Sequence, residues 1–308
     1  LLDAYARAGF GAGKVLSLNF GGWRETGMAV DAGLYARREL PPLPAGKTLS
    51  HPYLHSCREK SAQHAAYTAW LREPDHWALI EHRIEGVATM PGTGLVEMVR
   101  AAFQDYRGAE QLAIDNLYFY RPLMVPAADM AEVHCDFNAL PGGGYGFEVY
   151  TREAGVKAPL LAGDIYAAEL AVARIDPQAL AASCDGELLD FSDGRPQAVQ
   201  DDSGFLSLGP RWQALREIRC GGDHLLGKLQ LPEAFVGDLQ QFVLHPSLLD
   251  MASGPITGHL LRRLDLDIDG EYLPFGYGRL TIAAPLPAEF LSHVCFRGLS
   301  GDRESLGF

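Results

Sequence analysis

Two ionisable residues are placed where they could do chemistry. His82 opens the stretch "HRIEGVATMPGTG" (His82–Gly94), four residues before Gly86 and nine before Pro91. Asp250 lies in "HPSLLDMASG", an otherwise apolar segment. An imidazole titrates near neutrality and suits a general base, while a carboxyl in dry surroundings stays protonated and suits a general acid. The sequence places His82 at the end of a strand, before a glycine turn and a helix N-terminus, and Asp250 in the first turn or so of a second helix. Each alone has a plainer account. A histidine between apolar stretches is commonly a satisfied core or rim residue, and an aspartate near a helix start can face solvent or stabilise the N-terminus. Together, one in each half and each at a helix start, they have the form of an acid/base pair across a pseudo-twofold interface.

Other patterns fail on their chemistry. "GFGAGKV" (Gly9–Val15) has the wrong spacing for a phosphate loop, places valine where Ser or Thr must follow the lysine, and lacks the third glycine of a dinucleotide fingerprint. His51 and His55 are four apart but have no glutamate between them and no obvious third ligand, so no metal is expected. There is no GxSxG nucleophile elbow. His134 and Cys135 sit side by side in a strand pattern, where successive side chains point to opposite faces, so they form no dyad.

The elements that must carry the pair come in two cycles. In the first, "SAQHAAYTAWLRE" reads as a short helix and "WALIEHRI" as a strand. After Pro91, Leu95, Met98, Val99, Ala102 and Phe103 recur at helical spacing, with Thr93 as N-cap and Arg100 on the opposite face. Four strands follow, "LAIDNLYFYRPLMV", "EVHCDFNAL", "YGFEVYTRE" and "LLAGDIYAAEL". After an Asp-rich stretch (Asp185–Asp202) the cycle repeats. It has the strand "HLLGKLQL", a helix from "HPSLLDMASGPITGHLLRRL" that Pro255 should bend or restart, and the strands "YLPFGYGRLTIAAPL" and "SHVCFRGLS". One helix followed by antiparallel strands, twice, implies an α+β fold in which each sheet wraps a helix. The chain closes at "GDRESLGF", where a strand begins, so the second sheet is expected to be truncated at its C-terminal end.

Residues 1–46 differ from the rest, running from an Ala-rich stretch to the linker-like "LPPLPAGKT" (Leu40–Thr48). The expected division is therefore 1–46 as the tail of a neighbouring domain plus linker, and 47–308 as one folded unit with halves of about 47–175 and 200–308. A net charge of −13 argues against nucleic acid and anionic membranes as partners, since both need a basic face. No apolar run is long enough to span a bilayer. Five scattered cysteines without a CxxC pair fit free thiols in a reducing cytoplasm.

These residues carry a resemblance. "HRIEGVATMP" resembles the HxxxGxxxxP motif of polyketide synthase dehydratase domains, at His82, Gly86 and Pro91. "LSLGPRWQAL" resembles their YGPxFQ motif, keeping Gly209, Pro210 and Gln213, with Leu208 for the tyrosine and Trp212 for the phenylalanine. "LHPSLLDMASG" resembles HPxLLDxxxQ/H, with His245, Pro246 and Asp250 in place and Gly254 where glutamine or histidine is usual. "YLPFGYGRL" is similar to their LPFxxxR-type segment at Leu273, Pro274 and Phe275. The opening "LNFGGWRETGMA" (Leu18–Ala29) resembles the closing stretch of a polyketide ketoreductase. That order of domains resembles enediyne-type or polyunsaturated fatty acid synthases.

The resemblance implies a double hotdog that removes water from a 3-hydroxyacyl thioester, with His82 and Asp250 catalytic. Gly86, Pro91, Gly92, Leu208, Gly209, Pro210, Trp212, Gly254 and Phe275 would line the substrate. Gly92 would offer its backbone N–H to the thioester carbonyl, and Gly86 would let its turn approach closely. No cofactor is implied for this domain, because the substrate rides on the phosphopantetheine of an acyl carrier protein. The implied partners are that carrier, a ketoreductase domain of the same polypeptide, and a second copy in a homodimer. A double-bond isomerase is the weaker alternative, because Asp250 and Pro91, which such relatives tend to replace, are retained. An inactive structural or carrier-binding hotdog stays open through the departures at Leu208 and Gly254. If Asp250 is the acid, a water or a group from another segment, with Tyr272 and Tyr277 as candidates, must hold it in place of a side chain at 254.

Overall fold

The segment from Gly92 to Arg107 folds as a helix because Leu95, Met98, Val99, Ala102 and Phe103 recur at helical spacing, and all five are buried. Gly108 ends it at φ +71, a left-handed conformation that costs glycine little, and its amide bonds the Gln104 carbonyl at 2.8 Å. Twelve of the helix's 16 residues are buried, more than one face can supply, so the helix is enclosed. The computed structural model describes residues 47–127, 129–170, 175–191, 205–264, 275–299 and 306–308, all within one compact unit spanning Leu40–Phe308. The described helices are α1 (Trp77–Glu81), α2 (Gly92–Arg107), α3 (Pro177–Ser183) and α4 (Pro246–Arg263).

An eight-stranded antiparallel sheet wraps α2. Its order is Lys47–His51, Leu54–Lys60, His64–Leu71, Ala131–Ala139, Tyr145–Glu153, Val156–Ala167, Leu112–Phe119 and Gly276–Ile282. The last strand comes from the second half of the chain and pairs with Leu112–Phe119, so one sheet runs across both halves. The second helix, α4, packs Leu248, Met251, Ile256 and Leu260 into the core. It lies against a four-stranded sheet of Leu188–Asp190, Leu215–Cys220, His224–Gln230 and Glu289–Cys295. Gly227 in that sheet has the Ile256 side chain where its Cβ would stand, so the helix sits close. Two helices, each against an antiparallel sheet, make the α+β double hotdog that the two cycles imply.

Several local expectations are corrected. "SAQHAAYTAWLRE" is not a helix: His64–Leu71 is an interior strand, and seven of its eight residues are buried. Burial on both faces erases the period-two signal, which is why its alanines misled. "WALIEHRI" divides into α1 and the strand His82–Ile84, so His82 begins that strand instead of ending one. Pro91, not Thr93, occupies the N-cap of α2. Arg100 is buried on Glu97 instead of facing solvent, because the Glu97 carboxylate pairs with its guanidinium. The helix α4 runs through Pro255 without a restart. The ketoreductase-like tail and its linker (1–46), together with Tyr272, Leu273 and Pro274, lie outside the described residues.

Candidate active site

The ring of His82 is fixed by the hairpin it begins. Strand His82–Ile84 turns through Glu85 and Gly86, at φ +49 and +77, and returns as Val87–Met90. Two consecutive left-handed residues make the tight turn whose twist matches paired strands. The return strand brings the Thr89 carbonyl 2.9 Å from His82 Nδ1. A carbonyl can only accept, so Nδ1 carries the proton, and in the neutral ring Nε2 holds the lone pair. His82 is buried, and its ring centroid lies 5.6 Å from that of Trp212.

Trp212 reaches His82 from the second half of the chain. Strand Leu206–Leu208 pairs with His82–Ile84, and Leu208 stands opposite His82. The chain then forms a 3-10 turn, Pro210–Trp212. Gly209 is packed so tightly on Glu81 that a Cβ would lie 2.5 Å from that residue's Cβ. Arg211 pairs with Glu81, donates its amide to Glu81 Oε2 at 2.9 Å, and bonds Asp238 at 2.7 Å. Ser247, in the first turn of α4, donates its hydroxyl to the Arg211 carbonyl at 3.0 Å. So braced, Trp212 donates its indole N–H to Asp250 Oδ2 at 2.7 Å.

Asp250 is partly buried in the second turn of α4. Loss of solvent raises its carboxyl above the ordinary carboxylate range, against the opposing pull of His82 and of the Trp212 hydrogen bond. The first of these effects is the one a general acid needs. Tyr277 packs on Phe119, with ring centroids 5.9 Å apart. Burial raises its phenol, the Ser253 hydroxyl lowers it, and the Asp250 charge raises it further. Gly92 begins α2, where the first amides have no intrahelical acceptor, and a Cβ there would meet the Phe119 ring at 2.8 Å.

His82, Asp250, Trp212 and Leu208 therefore come together, with Pro91 and Gly92 following the strand that holds His82. The other expected lining residues are placed as follows. Gly86 is exposed at the hairpin tip with open space where its Cβ would point, and its φ of +77 suits glycine in the turn. Gly209 serves the contact with Glu81. Pro210 is exposed at the start of the 3-10 turn, whose first position suits a fixed φ. Phe275 is exposed against Tyr118, with ring centroids 5.6 Å apart. Gly254 is exposed and leaves Asp250 without a partner one turn on, as its residue type implies. Sequence reasoning missed the Thr89 carbonyl, which no side-chain pattern can reveal, and the indole N–H of Trp212. Tryptophan in place of phenylalanine in "LSLGPRWQAL" was the available signal, since it adds a donor. His51 bonds Glu97 at 3.3 Å and His55 accepts the Trp70 amide at 2.9 Å, so both have structural partners. Among the described residues no cluster of three or more His, Cys, Asp or Glu could hold a metal, and no helix is long and apolar enough to cross a membrane.

Comparison with known proteins agrees with this architecture. Residues 51–152 match the family model "Polyketide synthase dehydratase domain", and residues 200–305 match "Polyketide synthase dehydratase N-terminal domain". The chain is 23% identical over 227 residues to polyketide synthase PksM of Bacillus subtilis, covering 70% of this chain and 5% of that protein. It is 29% identical over 251 residues to GfsB of Streptomyces halstedii, covering 77% of this chain and 4% of that one. It thus spans only a small fraction of these relatives' length. Among solved structures, the dehydratase domain of the CurF module of curacin polyketide synthase superposes with a TM-score of 0.72 at 20% identity, covering 82% of this chain and 91% of that one. A trans-AT polyketide synthase dehydratase domain from Brevibacillus brevis gives 0.70 at 22%, covering 85% and 92%. The CurK dehydratase gives 0.68 at 24%, covering 80% and 86%; its histidine-to-phenylalanine and aspartate-to-asparagine variants are both described as inactive. With two family models matching both halves, and a double hotdog in which each half contributes one member of an ionisable pair, the chain belongs to the dehydratase domains of polyketide synthases.

Proposed function

We propose that His82 and Asp250 eliminate water from a 3-hydroxyacyl thioester to give a 2-enoyl thioester. His82 Nε2 takes the proton from Cα. The electron pair forms the Cα–Cβ double bond as the Cβ–O bond breaks, and Asp250 gives its proton to the departing oxygen, which leaves as water. Proton transfer from the imidazolium to the carboxylate, directly or through solvent, restores both groups. The Gly92 amide at the N-terminus of α2 suits the negative charge that develops on the thioester oxygen. Substrate delivery on the phosphopantetheine of an acyl carrier protein, a ketoreductase in the same polypeptide, a homodimer and a cytoplasmic setting belong to the same proposal. No cofactor is required in it.

The observation that carries the reading is the shared indole: Trp212 bonds Asp250 and packs on His82, bringing the two groups to one place. The departure at Gly254, which would favour an inactive hotdog, is offset by this bond. The CurK variants described as inactive involve the same two residue types. The test is mass spectrometry of 3-hydroxyacyl pantetheine surrogates and of the same acyl groups on a carrier protein. Loss of one water with the wild type, but not with Asp250→Asn, is expected. Equal turnover by wild type and variant would reject the acid assignment.

A further inference from the structure

We propose that Trp212 is the positioning residue of Asp250, replacing a partner on the helix itself and favouring the acid proton on the other carboxyl oxygen. The inference rests on the reading of Asp250 as the general acid and concerns what holds it. A side chain four residues further along α4 would share its face and could reach the carboxyl. That position is Gly254, which has no side chain to offer. A Cβ there would meet nothing within 4 Å, so the first atom of a side chain would not clash. The donor comes instead from another segment, 2.7 Å from Oδ2.

The donor is rigid. Trp212 is only 2% exposed, and its ring packs edge-on against Trp77 with centroids 5.8 Å apart. Its turn is tied to α1 through Arg211 and Glu81, and to α4 itself through Ser247, three residues before Asp250. Turn and helix are therefore joined twice, once through the backbone of Arg211 and once through the indole. This bracing gives Trp212 little freedom to follow a rotating carboxyl.

The indole N–H has a further consequence because it can donate but never accept. Facing it, Oδ2 must be an acceptor whether Asp250 is ionised or neutral. The unprotonated oxygen of a neutral carboxyl is the better acceptor, so the bond favours the acid proton on Oδ1. An amide side chain at position 254 could donate or accept by flipping and would not create this preference. The one bond holds the carboxyl rotamer and favours the proton on Oδ1, the oxygen that would face the leaving group.

The test compares Trp212→Phe, the double variant Trp212→Phe/Gly254→Gln and Asp250→Asn, using a 3-hydroxyacyl pantetheine substrate and melting curves to establish folding. Trp212→Phe should lose about tenfold to a hundredfold in kcat, the scale of one hydrogen bond to a charged group, with KM changed by less than about twofold. Because the bond favours the ionised carboxyl, its loss should also move the limb of the pH profile governed by Asp250 to higher pH. A purely structural role would not do this. In the double variant a donor on the helix should return most of the lost kcat. Should Trp212→Phe fail to fold, a benzothienylalanine at 212, which keeps the bicyclic shape without the N–H, must show the same loss. Full kcat and an unshifted profile in the folded 212 variant, with Asp250→Asn inactive, would overturn the positioning role and leave the acid assignment standing. Failure of the double variant to recover would overturn the claim that the two positions do the same job. Activity in Asp250→Asn as well would mean that the acid reading itself is wrong.

Discussion

Thr93 Oγ1 donates to the Pro246 carbonyl at 3.0 Å, a bond between residues 153 apart in sequence that ties the start of α2 to the start of α4. The Gly92 amide lies one residue from one end of this bond, and Asp250 lies one helical turn from the other. The contact thus fixes the spacing between two groups that the proposed mechanism brings to one substrate.

Thr93→Val keeps the shape and removes the hydroxyl. It should destabilise the fold by about 1–2 kcal/mol, because the Pro246 carbonyl loses its buried donor. It should also lower kcat several-fold through the altered spacing. Urea unfolding and steady-state kinetics check the two effects separately, and a stability loss with unchanged kcat would separate this bond from catalysis.

Glu97 supplies a second tie. Its carboxylate is wholly buried, accepts the amides of Val243 at 3.1 Å and Leu244 at 3.0 Å, and pairs with Arg100 at 2.7 Å and His51 at 3.3 Å. Burial alone would raise its pKa, but the bonds from His51 and Arg100 and the Arg100 charge together hold it below the usual value. A depressed folded-state pKa contributes stability that is present above the unfolded value, about 4.3, and lost as pH falls through the folded one. Glu97→Gln should therefore cost about 3–5 kcal/mol at neutral pH, since it strands the buried Arg100 charge. The gap between wild type and variant should narrow as the pH drops below about 4. Denaturant midpoints measured from pH 3 to pH 8 test the sign, and a gap that widened on acidification would contradict it.

His82→Ala should lower kcat by a factor of about 10² to 10⁴, the usual contribution of a positioned base. Its ring meets the core only through Thr89 and Trp212 among the contacts described, so the variant should remain folded. Turnover near the wild-type rate in this variant would remove His82 from the mechanism.

The long helices and most strands were legible because their signal is local. Leu95, Met98, Val99, Ala102 and Phe103 state a helix by spacing alone, and "EVHCDFNAL" and "YGFEVYTRE" state strands by composition and turns. His64–Leu71 was not legible, because an interior strand buried on both faces loses the alternation that identifies one. The proposed acid and base, Asp250 and His82, were singled out from residue type and place. Their support was not, because it is made of long-range contacts: the Thr89 carbonyl on His82, the turn of Trp212 on α4, and Glu97 on residues about 146 positions away. Only Trp212 left a trace in the sequence, as a donor-bearing ring in place of one without a donor.

Gly92 yields the most discriminating test of the proposed thioester contact. Its residue type has two separate physical reasons. A Cβ there would press on the Phe119 ring, 2.8 Å away at Cε1, and the residue also begins α2, where an amide is free to bind developing negative charge. Gly92→Ala should cost about 1–3 kcal/mol in stability by overpacking. It should also lower kcat, because the displaced helix start moves the amide. Phe119→Leu introduced alongside it shortens the ring side chain that the new methyl would strike. If the clash is the whole cause, the double variant should recover both stability and kcat, and the double-mutant cycle should show coupling between the two positions. Phe119 also packs on Tyr277, which senses the Asp250 charge, so the ring links the two ends of the site. Recovery of stability without recovery of kcat would show that the amide needs its original position, as the oxyanion role requires. Wild-type kcat and stability in the single variant Gly92→Ala would exclude the clash as the reason for glycine, since alanine keeps the amide in place.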